Sequence, residues 1–415
     1  MDYGAFLSRK ALLRRPSPIR ALAPFLGIPG MVSLGGGNPN PQLFPFDNFT
    51  VQLKDGSSLT PNPAALAEAL QYSPSEGLPS LRNHLQALIE REHDPIGPRD
   101  RSKLAVTTGS QEALSIMMNT VLDEDRVVLV EDPCYTGALS ILNQIGCRIG
   151  GVAVDAQGLI PDALEAKIEA LKEDSRHPLV LYSVPTAQNP SGCTMTSERR
   201  RTIYEICSKF NVLILEDDPY WFLSSERRPG FSFFSMDVDG RVVRFDSFSK
   251  ILSGGMRLGW VTGPAPLVNC MLLHVQSSNL HTSGISQLVV SELFDVWGYE
   301  KFNRHAEQAS KFYLERRDNA LRLADKHLTG LAQWNLPGSG SMFLWLKLLG
   351  IEDSKELVED KARSAKVLMV PGQAFSPNGQ KTPYVRISFS TASDSDLEAG
   401  FSRLASILKD SESSV

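Results

Sequence analysis

Residues 242–257 read VVRFDSFSKILSGGMR, a short apolar strand followed by a cluster of chemically active side chains. Lys250 stands beside two hydroxyls, Ser247 and Ser249, just past the predicted strand end. A lysine in a partly desolvated pocket loses its proton readily and becomes a nucleophile for carbonyl groups. Arg257 can bind one phosphate together with the two serines. A surface lysine is the alternative, so the rest of the chain must decide between them.

Short apolar runs alternate with helical patterns through the middle of the chain. The predicted strands are Leu104–Thr107, Val127–Val130, Leu179–Ser183, Val212–Leu215 and Val242–Phe245, and the predicted helices are Ser110–Asn119, Gly137–Ile145 and Ser197–Phe210. Apolar runs without polar alternation indicate strands buried on both faces. The alternation predicts an α/β fold with a mostly parallel sheet flanked by helices, where ligands bind beyond the carboxyl ends of the strands.

The chain changes character after about residue 300. A long helical pattern is followed by the predicted strands Met342–Leu348, Val367–Val370 and Tyr384–Ser388 and by a helix over Leu397–Leu408. The first residues are rich in proline and glycine and are expected to lie on the surface. We therefore predict an N-terminal arm over residues 1–46, a large domain over residues 47–300 and a smaller α+β domain over residues 301–415.

Two strand ends carry groups that suit a charged ligand. The turn at residues 107–112 (TTGSQE) leads into a helix with Ser110 as a good N-cap, and helix N-termini bind anions. A plain capped loop is the commoner outcome. Glu216, Asp217 and Asp218 end an apolar strand, where a carboxylate is costly without a partner such as a protonated heterocyclic nitrogen. A solvated loop is the alternative, and a metal site lacks histidine ligands nearby in the sequence.

Three further residues follow or lie within predicted strands. Asn189, before a proline, can donate to a phenolate-like oxygen, although Asn-Pro is also a turn dipeptide. Tyr135 is placed to lay its ring against a flat ligand. Arg386 interrupts an apolar strand, and such an arginine usually has a buried anionic partner. A substrate carboxylate or an intramolecular ion pair would serve.

The composition is that of a globular protein of two or three domains. The chain has 415 residues, 42% hydrophobic and 21% charged, and a net charge of −5. The absence of a basic run argues against nucleic acid as a partner, and no apolar run approaches the ~20 residues of a membrane helix. The five scattered cysteines form no C-x-x-C pair, so neither a zinc site nor a disulfide framework is supported. This pattern favours a reducing compartment.

Taken together and in this order, these motifs resemble the pyridoxal-phosphate aminotransferases of fold type I. The Ser-x-Ser-Lys…Arg stretch, the Asn-Pro-x-Gly loop and the late arginine carry the likeness, which runs over nearly the whole chain. Within that group the chain is most similar to the kynurenine/α-aminoadipate aminotransferases and the fungal aromatic aminotransferases. The segments that carry this closer likeness are Pro16–Arg20, Leu34–Phe46, Gln71–Pro74, Glu216–Tyr220 and Met236–Arg241.

The resemblance implies a role for each ring-binding residue. Lys250 holds the cofactor covalently, and Asp217 pairs with the protonated pyridine nitrogen. Asn189 and Tyr220 bond the phenolic oxygen, and Tyr135 stacks on the ring. Lys250, Asp217 and Tyr135 are the implied catalytic residues. The loop departs from its relatives just before Asn189, which predicts a different pocket shape there.

The remaining implied roles concern the phosphate and the substrate. The phosphate ligands are Ser110, Gln111, Ser247, Ser249 and Arg257, with Tyr72 supplied by the neighbouring subunit of a homodimer whose active site lies at the interface. Arg386 binds the substrate α-carboxylate beside Asn189, and the arm closes over the substrate with Arg20 and Gly37. No residue is assigned to a metal.

The function that follows is ping-pong transfer of an amino group from an L-amino acid to a 2-oxo acid. Tyr72, Tyr135, Phe343 and Phe375 are candidate aromatic walls, which favours tryptophan, phenylalanine, tyrosine or kynurenine as the donor. Arg20 can pair with a distal carboxylate, so 2-aminoadipate with 2-oxoglutarate is the alternative. A lyase on the same scaffold is less favoured.

The sequence also argues against two other protein classes and bears on the cellular compartment. A transcription regulator needs a DNA-binding module ahead of the fold, and the arm begins too early for one. A Rossmann dehydrogenase needs G-x-G-x-x-G, which residues 35–37 do not form. The basic start of the chain is typical of a mitochondrial presequence, but Pro16 and Pro18 would break its helix. We expect the cytosol, with the mitochondrion as the alternative.

Overall fold

The computed structural model describes residues 1–415 except 26–27, 33, 97–101, 173–175, 229 and 413–415. The chain divides into two compact units. Unit 1 comprises residues 1–123 and 228–305, and unit 2 comprises residues 124–227 and 306–415. The three-part division at residues 46 and 300 stays a prediction.

The strands and helices alternate along most of the chain. The strands are β1 Val51–Gln52, β2 Ser58–Leu59, β3 Ser102–Thr107, β4 Val127–Asp132, β5 Arg148–Asp155, β6 Gly158–Leu159, β7 Val180–Ser183, β8 Leu213–Asp217, β9 Val242–Ser247, β10 Gly259–Pro264, β11 Ala332–Trp334, β12 Phe343–Leu348, β13 Val370–Pro371 and β14 Tyr384–Ser388. The helices are α1 Arg9–Leu12, α2 Pro63–Leu70, α3 Pro79–His93, α4 Ser110–Val121, α5 Thr136–Ile145, α6 Pro161–Lys172, α7 Ser197–Lys209, α8 Ala265–Ser277, α9 Gly284–Leu328 (interrupted at Gly298), α10 Ser354–Glu356 and α11 Asp394–Glu412.

The predicted α/β fold is confirmed. The main sheet has eight strands in the order β3-β10-β9-β8-β7-β4-β5-β6. Strands β4, β5, β7 and β8 pair in parallel, whereas β10 pairs antiparallel with β3 and β9, and β6 with β5. Sequence analysis missed β10, whose two glycines and final proline hide its strand character. A Cβ at Gly259 would lie 2.8 Å from the backbone nitrogen of Ser110, so β10 passes very close to the start of α4.

Unit 1 packs α4 and α8 on β3 and β10. The expectation that the whole N-terminal stretch lies on the surface is wrong for its first residues. Phe6, Ser8 and Ala11 are buried, and the Ser8 hydroxyl donates to the Asn119 carbonyl. The hydroxyl and the backbone amide of Ser8 therefore tie the beginning of the chain to α4. Among the residues that the structure describes, no helix is both long and apolar enough to cross a bilayer.

Unit 2 contains the parallel strands and a second, antiparallel sheet in the order β11-β12-β14-β13. Apolar side chains of β12, β14, α11 and the end of α9 form its second core, among them Leu323, Leu346, Val385 and Leu404. The strand predicted over Val367–Val370 is largely absent. The Val367 amide donates to Ala362, because the preceding helical segment extends to this point.

Candidate active site

Arg257 is the centre of a donor cluster in unit 1. Its Nη1 donates to Ser249 Oγ over 3.4 Å and to the Gly254 carbonyl over 3.2 Å, and its Nη2 donates to the Thr108 carbonyl over 3.4 Å. The Ser249 amide in turn donates to Ser247 Oγ over 3.1 Å. One guanidinium therefore joins the turn after β9 to the turn between β3 and α4.

Helix α4 presents its N-terminus to this cluster. The N-cap residue is Gly109, not Ser110 as predicted, because the backbone there has a φ of 78°, which suits glycine. The Glu112 carboxylate accepts from the Thr108 amide over 2.6 Å and so caps the turn from inside the helix. A Cβ at position 109 would collide with the Arg257 guanidinium. The glycine thus leaves room for the arginine beside the first turn.

The chemistry of this donor set suits a phosphate. It combines a guanidinium, two hydroxyls and the first amides of α4, those of Ser110 and Gln111, and such groups bind anions together. Lys250 follows Ser249 directly and is half-buried. Of the predicted phosphate ligands, the structure thus brings Ser249 to Arg257 and Ser247 to Ser249.

The three consecutive acids at the end of β8 have different partners in unit 2. Tyr182 donates its hydroxyl to Asp217 over 2.8 Å, and Thr186 donates its hydroxyl to Asp218 over 3.0 Å. The Glu216 carboxylate lies 3.8 Å from a nitrogen of Arg200. All of these side chains are buried. The solvated-loop alternative is therefore excluded for all three acids.

Arg386 lies in an aromatic and amide environment on β14. Its Nη1 donates to Asn189 Oδ1 over 2.9 Å, and its guanidinium carbon lies 4.3 Å from the ring centre of Phe343 and 5.1 Å from that of Phe375. Burial lowers the pKa of Arg386. Its Nε is buried and has no hydrogen-bond partner among the described residues. A desolvated cation with an unused donor is suited to a carboxylate.

Tyr220 brings the other predicted ring-binding residues of unit 2 together. Its phenol hydrogen-bonds the Asn189 side chain and lies within electrostatic reach of Tyr135, Asp217 and Arg386. Burial raises the pKa of Tyr220, with Tyr135 and Asp217 acting in the same direction. The phenol is therefore a neutral donor at physiological pH.

Tyr72 and the predicted substrate-binding residues of the arm are more exposed than the residues around Arg386. The Arg20 guanidinium donates to the Ser73 carbonyl over 2.9 Å and lies 5.9 Å from the centre of the Tyr72 ring. Tyr72 is 53% exposed. Gly37 is exposed, and a Cβ there would meet nothing within 4 Å.

Sequence analysis missed three buried residues of this region in unit 2: Glu131, Tyr182 and Gln188. Glu131 accepts hydrogen bonds from Ser183 and Gln188. Burial raises the pKa of Glu131 to about 7. The signal for Glu131 was present, because it interrupts the apolar strand β4 just as Arg386 interrupts β14. Tyr182 carried no such signal, since tyrosine is common in strands.

Comparison with known proteins identifies the family. The family model for aminotransferases of class I and II matches residues 35–404. The chain belongs to the class I and II aminotransferases. Kynurenine/α-aminoadipate aminotransferase, mitochondrial, from Bos taurus is 40% identical to this aminotransferase over 99% of the chain and 100% of the relative.

Solved structures agree with this assignment. An aminotransferase from Candida albicans superposes with a TM-score of 0.88 at 26% identity, covering 99% of this chain and 98% of the other. A kynurenine aminotransferase from Pyrococcus horikoshii, solved with pyridoxamine phosphate, kynurenine and its product, gives a TM-score of 0.77 at 31% identity over 99% and 98% of the two chains. The predicted family and enzyme class are confirmed, and the aminotransferase uses pyridoxal 5′-phosphate.

Proposed function

We propose that this aminotransferase moves the amino group of an aromatic L-amino acid, such as kynurenine, tryptophan, phenylalanine or tyrosine, to a 2-oxo acid. The surroundings of Arg386 carry the proposal. Its guanidinium is held against the rings of Phe343 and Phe375 and beside Asn189. A carboxylate bound there places the rest of the donor in aromatic surroundings, where a flat side chain gains most from contact.

The donor clusters support one role for each predicted cofactor ligand. Arg257, Ser247 and Ser249, with the first amides of α4, would bind the phosphate. Asp217, whose carboxylate accepts from the Tyr182 hydroxyl, would hold the proton on the ring nitrogen. Further residues proposed for the phenolic oxygen, the ring face and the remaining phosphate contacts are Asn189, Tyr220, Tyr135, Ser110, Gln111 and Tyr72.

Proton transfer is assigned to Lys250. When bound, pyridoxal 5′-phosphate withdraws electrons from the substrate α-carbon and carries the amino group between the two half-reactions. The Lys250 amine would hold the cofactor at rest and would then take the α-proton and return it as general base and acid. Arg386 would fix the carboxylate of the donor and so limit the orientations of its α-carbon.

2-Aminoadipate is the second candidate donor, and Arg20 is the residue that favours it. Its guanidinium has one described hydrogen bond, to the Ser73 carbonyl, and it lies near the ring of Tyr72. A guanidinium has five N–H donors, so a distal carboxylate can be bound in addition. The Bos taurus relative is named for both kynurenine and aminoadipate.

A panel of amino donors tests the proposal. Each donor is mixed with the loaded enzyme in single turnover, and conversion of the bound cofactor is followed optically. We expect kynurenine and the aromatic amino acids to react with a higher kcat/KM than 2-aminoadipate. A preference for 2-aminoadipate that Arg20→Ala abolishes would establish the second candidate instead.

The same assay tests the two central residues. Lys250→Ala is expected to lose the absorbance of the lysine-bound cofactor and to slow turnover by at least ~10³-fold, as for loss of a general base. Arg386→Ala should raise the KM for the donor far more than it weakens cofactor loading. Substantial transamination by Lys250→Ala would refute the assignment, and equal loss of both properties in Arg386→Ala would indicate a structural role.

We also infer a homodimer that shares residues between active sites. Its support is a run of exposed apolar side chains in unit 1, where large hydrophobic groups are unusual unless a partner covers them. They include Leu12, Leu13, Ile19, Leu22, Phe25, Ile28, Met31, Val32, Leu34, Leu43, Phe46 and Tyr72. Sedimentation velocity at micromolar concentration should give twice the chain mass, and a monomer there would overturn the inference.

For the compartment we propose the cytosol. The Arg14 guanidinium donates to Thr120 and to the Cys270 carbonyl, and the Arg9 amide donates to Asp123. The two side-chain bonds of Arg14 give part of the basic start of the chain a role in the fold. The Bos taurus relative is mitochondrial by name, so the mitochondrion is the alternative. Imaging of a C-terminal fluorescent fusion in the source cells separates the two.

A further inference from the structure

Glu131 is a buried carboxyl group that no proposed step uses. It stands near the end of β4 and is 1% exposed. Its Oε1 accepts from Ser183 Oγ over 2.7 Å, and its Oε2 accepts from the Gln188 amide over 3.1 Å and from the Val184 backbone amide over 3.3 Å. An ionisable group is costly in an apolar strand, so its hydrogen bonds must serve the fold or the site.

Gln188 joins two segments that carry ring-binding residues. Its Nε2 donates to Glu131 and, over 2.7 Å, to the Pro133 carbonyl in the turn that leads to Tyr135. Its Oε1 accepts from the Ser191 amide and hydroxyl in the loop that carries Asn189. One side chain amide thus links the Tyr135 turn to the Asn189 loop, and Glu131 holds that amide in place.

The conformation of the Asn189 loop needs such support. Ala187 has a φ of 45° and Gly192 a φ of 74°, and the alanine is in a region that side chains with a Cβ adopt rarely. Asn189 follows Gln188 directly, and its Oδ1 accepts from Arg386. On the other side, the Cys134 amide donates to the Phe375 carbonyl over 2.8 Å, and the Phe375 ring lies on Arg386.

We propose that Glu131 and Gln188 form a carboxyl–amide pair that positions Asn189 against Tyr135 and, through Asn189 and Phe375, fixes the orientation of Arg386. The inference rests on the proposed roles of Asn189, Tyr135 and Arg386. The pair touches neither substrate nor cofactor, so it consists of positioning residues.

Gln188→Glu tests the pair with almost no change in shape. It sets two carboxyl groups against each other and turns an acceptor toward the Pro133 carbonyl. We expect the KM for the amino donor to rise about tenfold, the scale of one hydrogen bond to a charged group, with kcat changed much less. Because Asn189 donates to the phenolic oxygen in the proposed site, the pH midpoint of the bound cofactor's absorbance should rise by about one unit.

Reversal of the pair supplies the rescue. The double variant Glu131→Gln with Gln188→Glu restores one carboxyl and one amide. It should reverse at least half of the change in log KM and at least half of the shift in the absorbance midpoint. Gln157→Glu, an exposed change of the same chemistry in unit 2, is the matched control and should leave both unchanged. If Gln188→Glu does not fold, Gln188→Met replaces it with an expected rise in KM of at least about threefold.

The outcomes separate this inference from the proposed function. A wild-type enzyme that neither binds the cofactor nor transaminates would refute the proposed function. An active wild type, together with Gln188 variants whose KM and absorbance midpoint equal those of the wild type, would overturn the positioning role alone. A lower melting temperature with both readouts unchanged would likewise show that the pair is only structural.

Discussion

Two segments of similar composition are built very differently in this molecule. The Asn189 loop (residues 184–195) and the exposed part of the N-terminal arm (residues 12–46) are both rich in proline, glycine and polar residues. The Asn189 loop is buried or half-buried at every position, and its backbone bonds to Arg200, Glu131 and Cys193. In the arm, Leu34 is 94% exposed and Leu43 82% exposed.

The difference suggests different roles for the two segments: the Asn189 loop suits residues that must be held in one position, and the arm suits a surface that moves or binds a partner. A loop whose polar groups all find buried partners has one conformation and can hold a reacting group in place. A segment with few buried contacts opens at low cost, which suits substrate entry or a partner surface. We therefore expect changes in the Asn189 loop to cost stability and changes in the arm to cost little.

The largest effect is expected at Arg200, which braces both ends of the Asn189 loop. It donates to the carbonyls of Pro185 and Met195 and faces Glu216 from a fully buried position. Arg200→Met leaves the Glu216 carboxylate buried without this cation and should reduce the free energy of unfolding by about 3–5 kcal/mol. Urea unfolding measures it. The exposed neighbour variant Arg201→Met is the control, and equal losses in both would contradict the comparison.

A pH dependence should distinguish the loop from the arm. The pKa of Glu131 rises from 4.5 to about 7 because burial disfavours its charged form. The native state then binds more protons than the unfolded state, so stability falls as the pH rises from 4.5 to 7, by about 3 kcal/mol. Residues 12–46 of the arm contain no carboxylate side chain and add nothing in this window.

Glu131→Gln removes this titration. Between pH 5 and pH 8 the free energy of unfolding should therefore fall by about 2.5 kcal/mol less in the variant than in the wild type. Urea unfolding at both pH values, with wild type and variant side by side, provides the measurement. Parallel pH profiles for the two proteins would show that Glu131 is already ionised across this range.

Tyr182→Phe should have the next largest effect. The variant removes a donor from the buried Asp217 carboxylate, and a hydrogen bond to a charged group contributes about 2 kcal/mol. Thermal unfolding should show this loss and, with it, faster release of the cofactor. Tyr313→Phe, half-buried on α9, is the control. Equal unfolding temperatures for the two variants would count against a role for this hydroxyl.

The smallest effects come from a matched pair of glycine substitutions. Gly192→Ala in the Asn189 loop forces a Cβ to within 2.8 Å of Pro337 at a φ of 74° and should cost about 1–2 kcal/mol. Gly37→Ala in the arm meets nothing within 4 Å and should stay within about 0.5 kcal/mol of the wild type. A costly Gly37→Ala would show that the arm is as constrained as the loop.

The sequence predicted the parts of the fold that depend on local patterns. Apolar runs located β4, β8 and β14 to within two residues, because a strand buried on both faces leaves a continuous apolar signal. Strand β10 escaped because Gly259 and Gly263 are needed for close backbone approach, which is a tertiary requirement. The first turn of α4 was placed correctly, but its cap was not. The cap is Gly109, where a Cβ would collide with Arg257, a residue far away in the sequence.

The sequence predicted which residues belong to the candidate site, but it did not predict which residues they would contact. Asp217 and Arg386 stood out because a charged side chain in an apolar strand needs a partner to offset the cost of burial. Which donor serves each of the acids 216–218 could not be read from the sequence, because Tyr182, Thr186 and Arg200 come from other elements. Long-range pairings of this kind depend on the register of neighbouring strands.

Gly259 has a consequence for any saturation mutagenesis of this enzyme. A side chain there would collide with the backbone of Asp246 and Ser110, so no repacking of neighbours can make room. Position 259 will therefore score as intolerant as a residue that contacts a ligand, although it has no side chain to offer one. The amount of folded protein must therefore be measured alongside activity before position 259 is assigned a role in the reaction.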